Sequence, residues 1–370
     1  MQKICRSLDE TEKKEYIIGK MNTHFIQTKD ELETYIRLTE DENRWFEQVG
    51  EGALPLRITT YFASLIDKDD PADPIRRQVV PTVQELYKAG SESDDPLEEV
   101  DHSPYPRLIH RYTNRVALLV SDYCATYCRH CFRRRFTAKK DAVITSNELQ
   151  NVCSYLEDHI EVKEMLLTGG DPLMVSNERL FQIIQRLRES RPDLILRLCT
   201  RVIATFPQRI DEQFIATLKS FSTAPIVVMT QFNHEREITI ESSYAVSLFA
   251  ENGFPLFNQT VLLKGVNDDR STLVSLMNAL VSIKVKPYYL FQGDMVEGTG
   301  HLRLPIERAI EIERELRLSL SGLAMPVVAV DLPFGGGKVP LDSSYYLGKT
   351  GEKTHRFRTL TGKIIDYIDP

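Results

Sequence analysis

The chain has 370 residues, of which 42% are apolar and 27% are charged, so it has enough apolar material for a large buried core. Its formal net charge of −7 gives no reason to expect nucleic acid or an anionic membrane as a partner. No apolar run approaches the roughly 18 residues of a membrane helix, and the N-terminus is charged where a signal peptide would be apolar. The composition therefore predicts a cytoplasmic protein with small-molecule partners.

The N-terminal part of the chain carries many charges, and its pattern predicts a mostly helical region. Thr28 and Thr39 are each followed three residues later by a glutamate, Glu31 and Glu42, as in the capping box that begins many helices. We assign residues 1–105 to an N-terminal helical region that packs on, or covers, the rest of the chain.

From about Arg115 onward, short apolar runs alternate with amphipathic stretches, a pattern typical of parallel strands joined by helical crossovers. Six such units predict an α/β fold, a partial (β/α)6 TIM-like barrel over residues 106–345, with a C-terminal tail over residues 346–370. The predicted strands are Val116–Val120, Met165–Thr168, Leu194–Cys199, Ile226–Thr230, Leu256–Leu262 and Tyr288–Phe291.

In barrels of this kind, the chemistry lies at the carboxyl ends of the strands. Residue types that can bind ligands or take part in catalysis come directly after several predicted strands. Cys124 follows the first strand, Gly169 to Asp171 follow the second, Arg201 follows the third and Asp294 follows the sixth. We therefore expect these residues to line one site.

Cys124, Cys128 and Cys131 have the spacing C-x3-C-x2-C on the loop after the first predicted strand. Three thiolates on one loop can hold three irons of a 4Fe-4S cubane and leave the fourth iron open. An open iron can bind S-adenosylmethionine and pass an electron into its sulfonium, which releases a 5′-deoxyadenosyl radical. The alternatives are three unrelated thiols or a structural zinc site, although adjacent His130 and Cys131 would reach one tetrahedral ion with difficulty.

This spacing resembles the signature of the radical S-adenosylmethionine enzymes. The segment Leu166–Pro172 is similar to the glycine-rich stretch that receives the methionine amino group in those enzymes. The resemblance implies that the S-adenosylmethionine contacts include Gly169, Gly170, Asp171, Arg201 and Gln259.

A second cofactor is indicated near the carboxyl end. Val327–Val330 is predicted to be a buried strand, and the glycine-rich segment after it carries Lys338. A lysine on a flexible glycine loop suits a Schiff base with pyridoxal phosphate, since the loop must move when substrate displaces the lysine. A solvated turn is the alternative, and the pattern of a phosphate-binding P-loop is absent.

Over roughly Leu54–Pro340 the chain resembles the lysine 2,3-aminomutase family. The matching stretches are Ile58–Pro81, His110–Arg115, Cys128–Phe136, Asn258–Asp268, Lys286–Tyr289, Gly298–His301 and Gly335–Lys338. The resemblance implies that Lys338 carries pyridoxal phosphate as an internal aldimine, with Arg111, Tyr112 and Arg115 nearby.

Enzymes of this family move an amino group from C2 to C3 of an amino acid. The resemblance implies that Arg133 pairs with the substrate α-carboxylate, and that Asp294 and Asp331 receive the ε-ammonium of lysine. Two carboxylates in one cavity repel unless a cation lies between them, so the pair predicts a cationic substrate, L-lysine, with β-lysine as product. Taken alone, Arg133 to Arg135 could instead be a solvated basic face, and Asp294 could cap a loop.

The chain departs from the longer family members because it has no cysteine after Cys199, and Asp269 stands where they continue with a cysteine. We therefore expect their interface zinc site to be absent and a homodimer to be the assembly. A flavodoxin or ferredoxin is the expected reductant. Alternatives are an aminomutase for another amino acid such as arginine, a relative that makes (R)-β-lysine for elongation factor P, and a non-catalytic binding protein of the radical family.

Overall fold

A computed structural model describes residues 24–88, 92–139, 142–333, 336–342, 345–352 and 354–368. In the N-terminal region, Thr28 and Thr39 both form the predicted capping boxes with Glu31 and Glu42. The helices that follow are short, so the described part of the region is less helical than its pattern predicts. Proline explains the end of the helix Arg76–Val79, because Pro81 biases the preceding residue, Val80, away from helix. The elements are β1 Phe25–Ile26, α1 Lys29–Glu33, α2 Glu40–Gln48, β2 Ile58–Thr59, α3 Thr60–Ser64 and α4 Arg76–Val79.

A nine-stranded sheet forms the body of the protein. Its strands lie in chain order from one edge to the other: β3 Leu108–Tyr112, β4 Arg115–Ser121, β5 Glu164–Gly169, β6 Ile195–Thr200, β7 Ile226–Thr230, β8 Leu256–Val261, β9 Lys286–Phe291, β10 Val327–Leu332 and β11 Gly337–Pro340. The strands β4 to β10 are parallel to their neighbours, and the two edge strands are antiparallel. All six predicted barrel strands are confirmed, and the separately predicted strand Val327–Val330 lies within β10, a seventh parallel strand.

Helices cover the outer face of this sheet and build one large apolar core with it. The helix Asn177–Ser190 illustrates the packing, because Leu180, Ile183, Ile184 and Leu187 recur at helical spacing and are buried. The helices are α5 Ser146–Asp158, α6 Asn177–Ser190, α7 Val202–Thr205, α8 Glu212–Lys219, α9 Ile240–Glu251, α10 Arg270–Ser282 and α11 Ile306–Ser319.

The two edges of the sheet approach each other, which makes it a partial barrel. Arg111 on β3 forms an ion pair with Asp331 on β10, with Nη1 and Oδ1 3.0 Å apart, and donates to the backbone oxygen of Leu332 at 3.4 Å. The ammonium of Lys338 on β11 lies 5.6 Å from the centre of the Tyr112 ring on β3. Residues far apart in the chain are thereby brought to one side of the barrel.

Two parts of the C-terminal region differ from expectation. Lys338 lies on β11, a short strand paired with β10, where the glycines predicted a flexible loop. Gly337 has a φ of +76°, which lets the chain turn back into this pairing, and Phe334 and Gly335 lie outside the described residues. The tail, for which no elements were predicted, forms an antiparallel sheet of β12 Tyr346–Lys349, β13 Thr354–Arg358 and β14 Ile364–Ile368.

Within the described ranges, no helix has the length and apolar character that crossing a membrane requires.

Candidate active site

The loop after β4 carries the three cysteines and is fixed by the N-terminal region. Cys124, Cys128 and Cys131 are partly exposed, whereas most residues between them are buried. The backbone N–H of Tyr127 donates to the Arg57 oxygen at 2.9 Å, and that of Arg129 donates to the Gln78 oxygen at 2.8 Å. These bonds hold the loop at the carboxyl end of β4, as expected from the sequence.

The glycines at the end of β5 are required by this same loop. Gly170 N–H donates to the Ser121 oxygen at 2.5 Å, and the Asp171 N–H donates to the Tyr123 oxygen at 2.9 Å. Gly169 has a φ of +118°, and a Cβ there would lie 2.5 Å from the Ser121 oxygen. A Cβ on Gly170 would fall on the backbone of Tyr123. Close packing against the cysteine loop is therefore one reason why both positions need glycine. The reason inferred from the sequence was that glycine lets the backbone approach S-adenosylmethionine.

Asp171 and Arg201 join the ends of β5 and β6. The carboxylate of Asp171 accepts from the Thr200 hydroxyl at 2.8 Å and from the Arg201 N–H at 2.7 Å. The Arg201 guanidinium is buried and lies 2.7 Å from the sulfur of Cys128, while its other nitrogen donates to Gln78 at 2.5 Å. Arg201 thus places a positive charge directly against one cysteine of the motif.

Although their residues are partly exposed, Cys124 and Cys131 carry thiols that are desolvated. Burial, followed by the charge of Asp171, raises the pKa of the Cys124 thiol, and burial also raises the pKa of Cys131. Iron binding must therefore release protons from these groups. No three His, Cys, Asp or Glu side chains among the described residues form a group that could hold one metal ion. Thiolates that each bind a different iron of a cubane need not converge in that way.

A second cluster lies where the edges of the sheet meet. Lys338 and Asp331 are directly opposite each other on β11 and β10, and the ammonium lies 2.6 Å from Oδ2 of the carboxylate. Burial, followed by the charge of Asp331, raises the pKa of Asp294 to about 7, while the Lys338 ammonium opposes this rise. The predicted residues Asp294, Asp331 and Lys338 are therefore brought together, with Arg111 beside them.

Three other residues predicted for the cofactor sites are Tyr112, Arg115 and Gln259. The Tyr112 hydroxyl and Arg111 Nε are buried without a hydrogen-bond partner among the described residues. Arg115 lies over the Tyr112 ring, with its guanidinium carbon 3.8 Å from the ring centre. Gln259 is partly buried on β8, which is three strands away from β5 in the sheet.

Arg133 connects the two clusters, since it follows the cysteines in the chain and its charge acts on Asp294. Its guanidinium forms an ion pair with Glu99 at 2.7 Å and donates to the Thr168 hydroxyl at 3.0 Å. Arg134 and Arg135 also pair with carboxylates, so a solvated basic face is wrong. Glu99 was not predicted as a site residue, because nothing in the sequence distinguishes it from its neighbour Glu98.

A partial barrel with three such cysteines after its first parallel strand defines a radical S-adenosylmethionine enzyme. The family model described as "4Fe-4S single cluster domain" matches residues 113–247, a range that includes all three cysteines. The L-lysine 2,3-aminomutase of Clostridium subterminale is 42% identical over 345 residues, which cover 93% of this chain and 82% of that protein. The chain belongs to the lysine 2,3-aminomutase family.

Two further relatives show the range of this family. The L-lysine 2,3-aminomutase of Bacillus subtilis is 39% identical, with coverage of 94% of this chain and 73% of that protein. The glutamate 2,3-aminomutase of Clostridioides difficile is 38% identical, with coverage of 92% and 79%. Among solved structures, a radical SAM methyltransferase from Sphaerobacter thermophilus is 18% identical, covers 60% of this chain and 68% of its own, and has a TM-score of 0.44.

Proposed function

We propose that this chain is a radical S-adenosylmethionine aminomutase that uses pyridoxal phosphate to convert L-lysine into β-lysine. The observation that carries the choice of substrate is the ion pair between Asp331 and the ammonium of Lys338, beside the second, partly buried acid, Asp294. This ammonium is chemically the same group as the side-chain end of free lysine. If Lys338 holds the cofactor, its ammonium no longer neutralises Asp331, and the substrate ammonium can take that place.

The cysteine loop fits an iron–sulfur cluster. Cys124, Cys128 and Cys131 would each hold one iron, and the cluster would supply the electron that cleaves S-adenosylmethionine. Arg201 would donate to the sulfur of Cys128, because its Nη1 already lies 2.7 Å away. Gly169 and Gly170 keep the loop against β5, and we propose that Asp171 and Gln259 help to form the nucleoside side of the site. We propose that a flavodoxin or ferredoxin supplies the electron to the cluster. We also propose that the protein is located in the cytoplasm, which is a reducing compartment.

The second cluster fits pyridoxal phosphate. Lys338 would hold the cofactor, which when bound would stabilise the unpaired electron while nitrogen migrates. Arg111 Nε and the Tyr112 hydroxyl are buried donors without a partner among the described residues, so a ligand with acceptor oxygens would satisfy them. We propose that Arg115, which lies over the Tyr112 ring, belongs to the same site.

The charges around the cavity favour lysine over glutamate. Arg133 would bind the α-carboxylate through its planar fork, and Asp294 and Asp331 would bind the ammonium at the other end. A glutamate side chain would bring a third carboxylate to two acids, and like charges in a desolvated cavity are costly. These residues orient the substrate and hold it away from water.

The test is turnover of single amino acids by protein reconstituted with iron, sulfide and pyridoxal phosphate under anaerobic conditions. With S-adenosylmethionine and dithionite, we expect β-lysine from L-lysine and no β-amino acid from L-glutamate or L-arginine, measured by chromatography. Lys338→Ala should lose both turnover and the visible absorbance of bound pyridoxal phosphate. Conversion of glutamate or arginine in preference to lysine would refute the substrate, and an unchanged spectrum in Lys338→Ala would refute the role of that lysine.

A further inference from the structure

The four arginines on and after the cysteine loop all form ion pairs with the same part of the chain. Each pairs with a carboxylate supplied by the N-terminal region. The pairs are Arg129 and Arg134 with Glu85, Arg133 with Glu99, and Arg135 with Asp95. The pair that matters for substrate is the one at Arg133, because this is the residue proposed to bind the α-carboxylate.

The hydrogen bonds of Arg133 leave part of its fork available. An arginine side chain has five N–H donors in one plane. Glu99 accepts from Nε at 3.1 Å and from Nη2 at 2.7 Å, along one side of the guanidinium. The Thr168 hydroxyl accepts from Nη1 at 3.0 Å. Among the described contacts, one N–H on Nη1 and one on Nη2 remain. When Thr168 accepts the Nη1 hydrogen that faces Cδ, these two can bind both oxygens of one carboxylate.

Glu99 is held firmly enough to orient its partner. Its side chain is 9% exposed and that of Arg133 is 14% exposed, so water competes little for the pair. The backbone N–H of Glu99 donates to Asp95 at 3.1 Å, and its backbone oxygen accepts from the Ser103 hydroxyl at 2.6 Å. The charges of both Glu99 and Arg133 act on Asp294, so the pair lies near the acidic cluster.

We propose that Glu99 is a positioning residue that, with Thr168, fixes the Arg133 guanidinium so that its free end faces the substrate carboxylate. This inference rests on the proposed function, because it takes Arg133 as the carboxylate-binding residue. An arginine held along one side loses less rotational freedom when it binds ligand, so fixing it strengthens binding. The competing reading is that Glu99 occupies the place of the substrate carboxylate and must leave, in which case its removal would strengthen binding.

The sign of the effect decides between these readings. Calorimetric titration of anaerobic holoenzyme, without reductant, would compare L-lysine with 1,5-diaminopentane, which is lysine without its carboxylate. We expect Glu99→Ala to weaken lysine binding by roughly tenfold or more, the usual effect of disturbing a charge-assisted hydrogen bond. Binding of 1,5-diaminopentane should change less than about twofold. Glu99→Gln keeps one acceptor oxygen and the size of the side chain. Its affinity for lysine should therefore lie between those of wild type and Glu99→Ala.

Glu98→Gln is the matched control. It removes a negative charge from the adjacent position, and Glu98 has no ion pair within the part of the chain that the structure describes. We expect it to bind both ligands like wild type. Tighter lysine binding by Glu99→Ala, no change, or equal weakening of both ligands would each overturn the positioning role. A wild-type protein that binds lysine no better than 1,5-diaminopentane would instead remove the assignment of Arg133, and with it the proposed function.

Discussion

Burial and the neighbouring carboxylate of Asp331 raise the pKa of Asp294 from 3.8 to about 7. A carboxyl with this pKa is partly protonated near neutral pH, whereas the ammonium of lysine stays charged to about pH 10. Only the ionised carboxylate attracts that ammonium. Below pH 7, the protein must therefore lose a proton from Asp294 before it can bind lysine at full strength.

We predict that lysine affinity rises with pH from about 5.5 to 7 or above and levels off once Asp294 is ionised, since the cofactor removes the Lys338 ammonium that lowers the pKa of Asp294. The rise should approach tenfold per pH unit well below the pKa, because one proton is released for each lysine bound. Titration calorimetry of wild type across this range provides the measurement. Asp294→Asn should bind lysine more weakly and lack this component of the pH dependence. If lysine affinity rose with pH equally steeply in Asp294→Asn, a group other than Asp294 would cause the pH dependence.

The residues of the acidic cluster were predicted from the resemblance to the lysine 2,3-aminomutase family, and local features alone left a solvated turn and a loop cap as alternatives. Lys338 lies within a glycine-rich segment, and Asp294 and Asp331 closely follow apolar runs. Glu99 and Thr168 could not be predicted in their roles, because these depend on how a loop from the N-terminal region lies against the barrel. Such contacts join residues far apart in the chain, and no local pattern encodes them.

At the scale of elements, the close approach of β5 to the cysteine loop sets the position of Cys124. Gly170→Ala would drive a Cβ into the backbone of Tyr123, which directly precedes this cysteine. We predict less iron and sulfide per chain after anaerobic reconstitution, roughly half the wild-type amount or below, and a lower melting temperature because the strain exceeds any entropic gain from alanine. Metal analysis and thermal unfolding measure these effects.

Gly322→Ala provides the comparison, because a Cβ at Gly322 would meet nothing within 4 Å and the position has no positive φ. It should retain wild-type iron and stability. If Gly170→Ala also assembled a full cluster, the glycine would be needed for some reason other than packing against the loop.

The parallel strands were predictable from sequence since each is a short apolar run between helical stretches. The edge strand β11 was not, because it is exposed and its pairing with β10 depends on a turn that glycines permit but do not dictate. The same holds for β12 to β14, in which most side chains are exposed and no alternation of buried and exposed residues marks a core face.

At the scale of the whole molecule, the N-terminal region and the barrel depend on each other. Arg129 and Glu85 are almost fully buried and form two hydrogen bonds, with Nε and Oε1 2.7 Å apart. Arg129 also lies 5.6 Å from the ring of Trp45, which is the single tryptophan of the chain. Fluorescence of Trp45 therefore reports on the contact between the two parts.

We predict that Glu85→Gln lowers the stability of this contact by roughly 3 kcal/mol, since two largely buried arginines, Arg129 and Arg134, lose the carboxylate that neutralises them. Urea unfolding followed by Trp45 fluorescence should show a lower midpoint, with loss of far-UV circular dichroism at the same or higher urea. Glu189→Gln breaks an exposed pair, with Arg186 and Glu189 side chains 50% and 46% exposed, and should leave the urea midpoint almost unchanged. Equal effects of the two substitutions would mean that the N-terminal region is held to the barrel by other contacts.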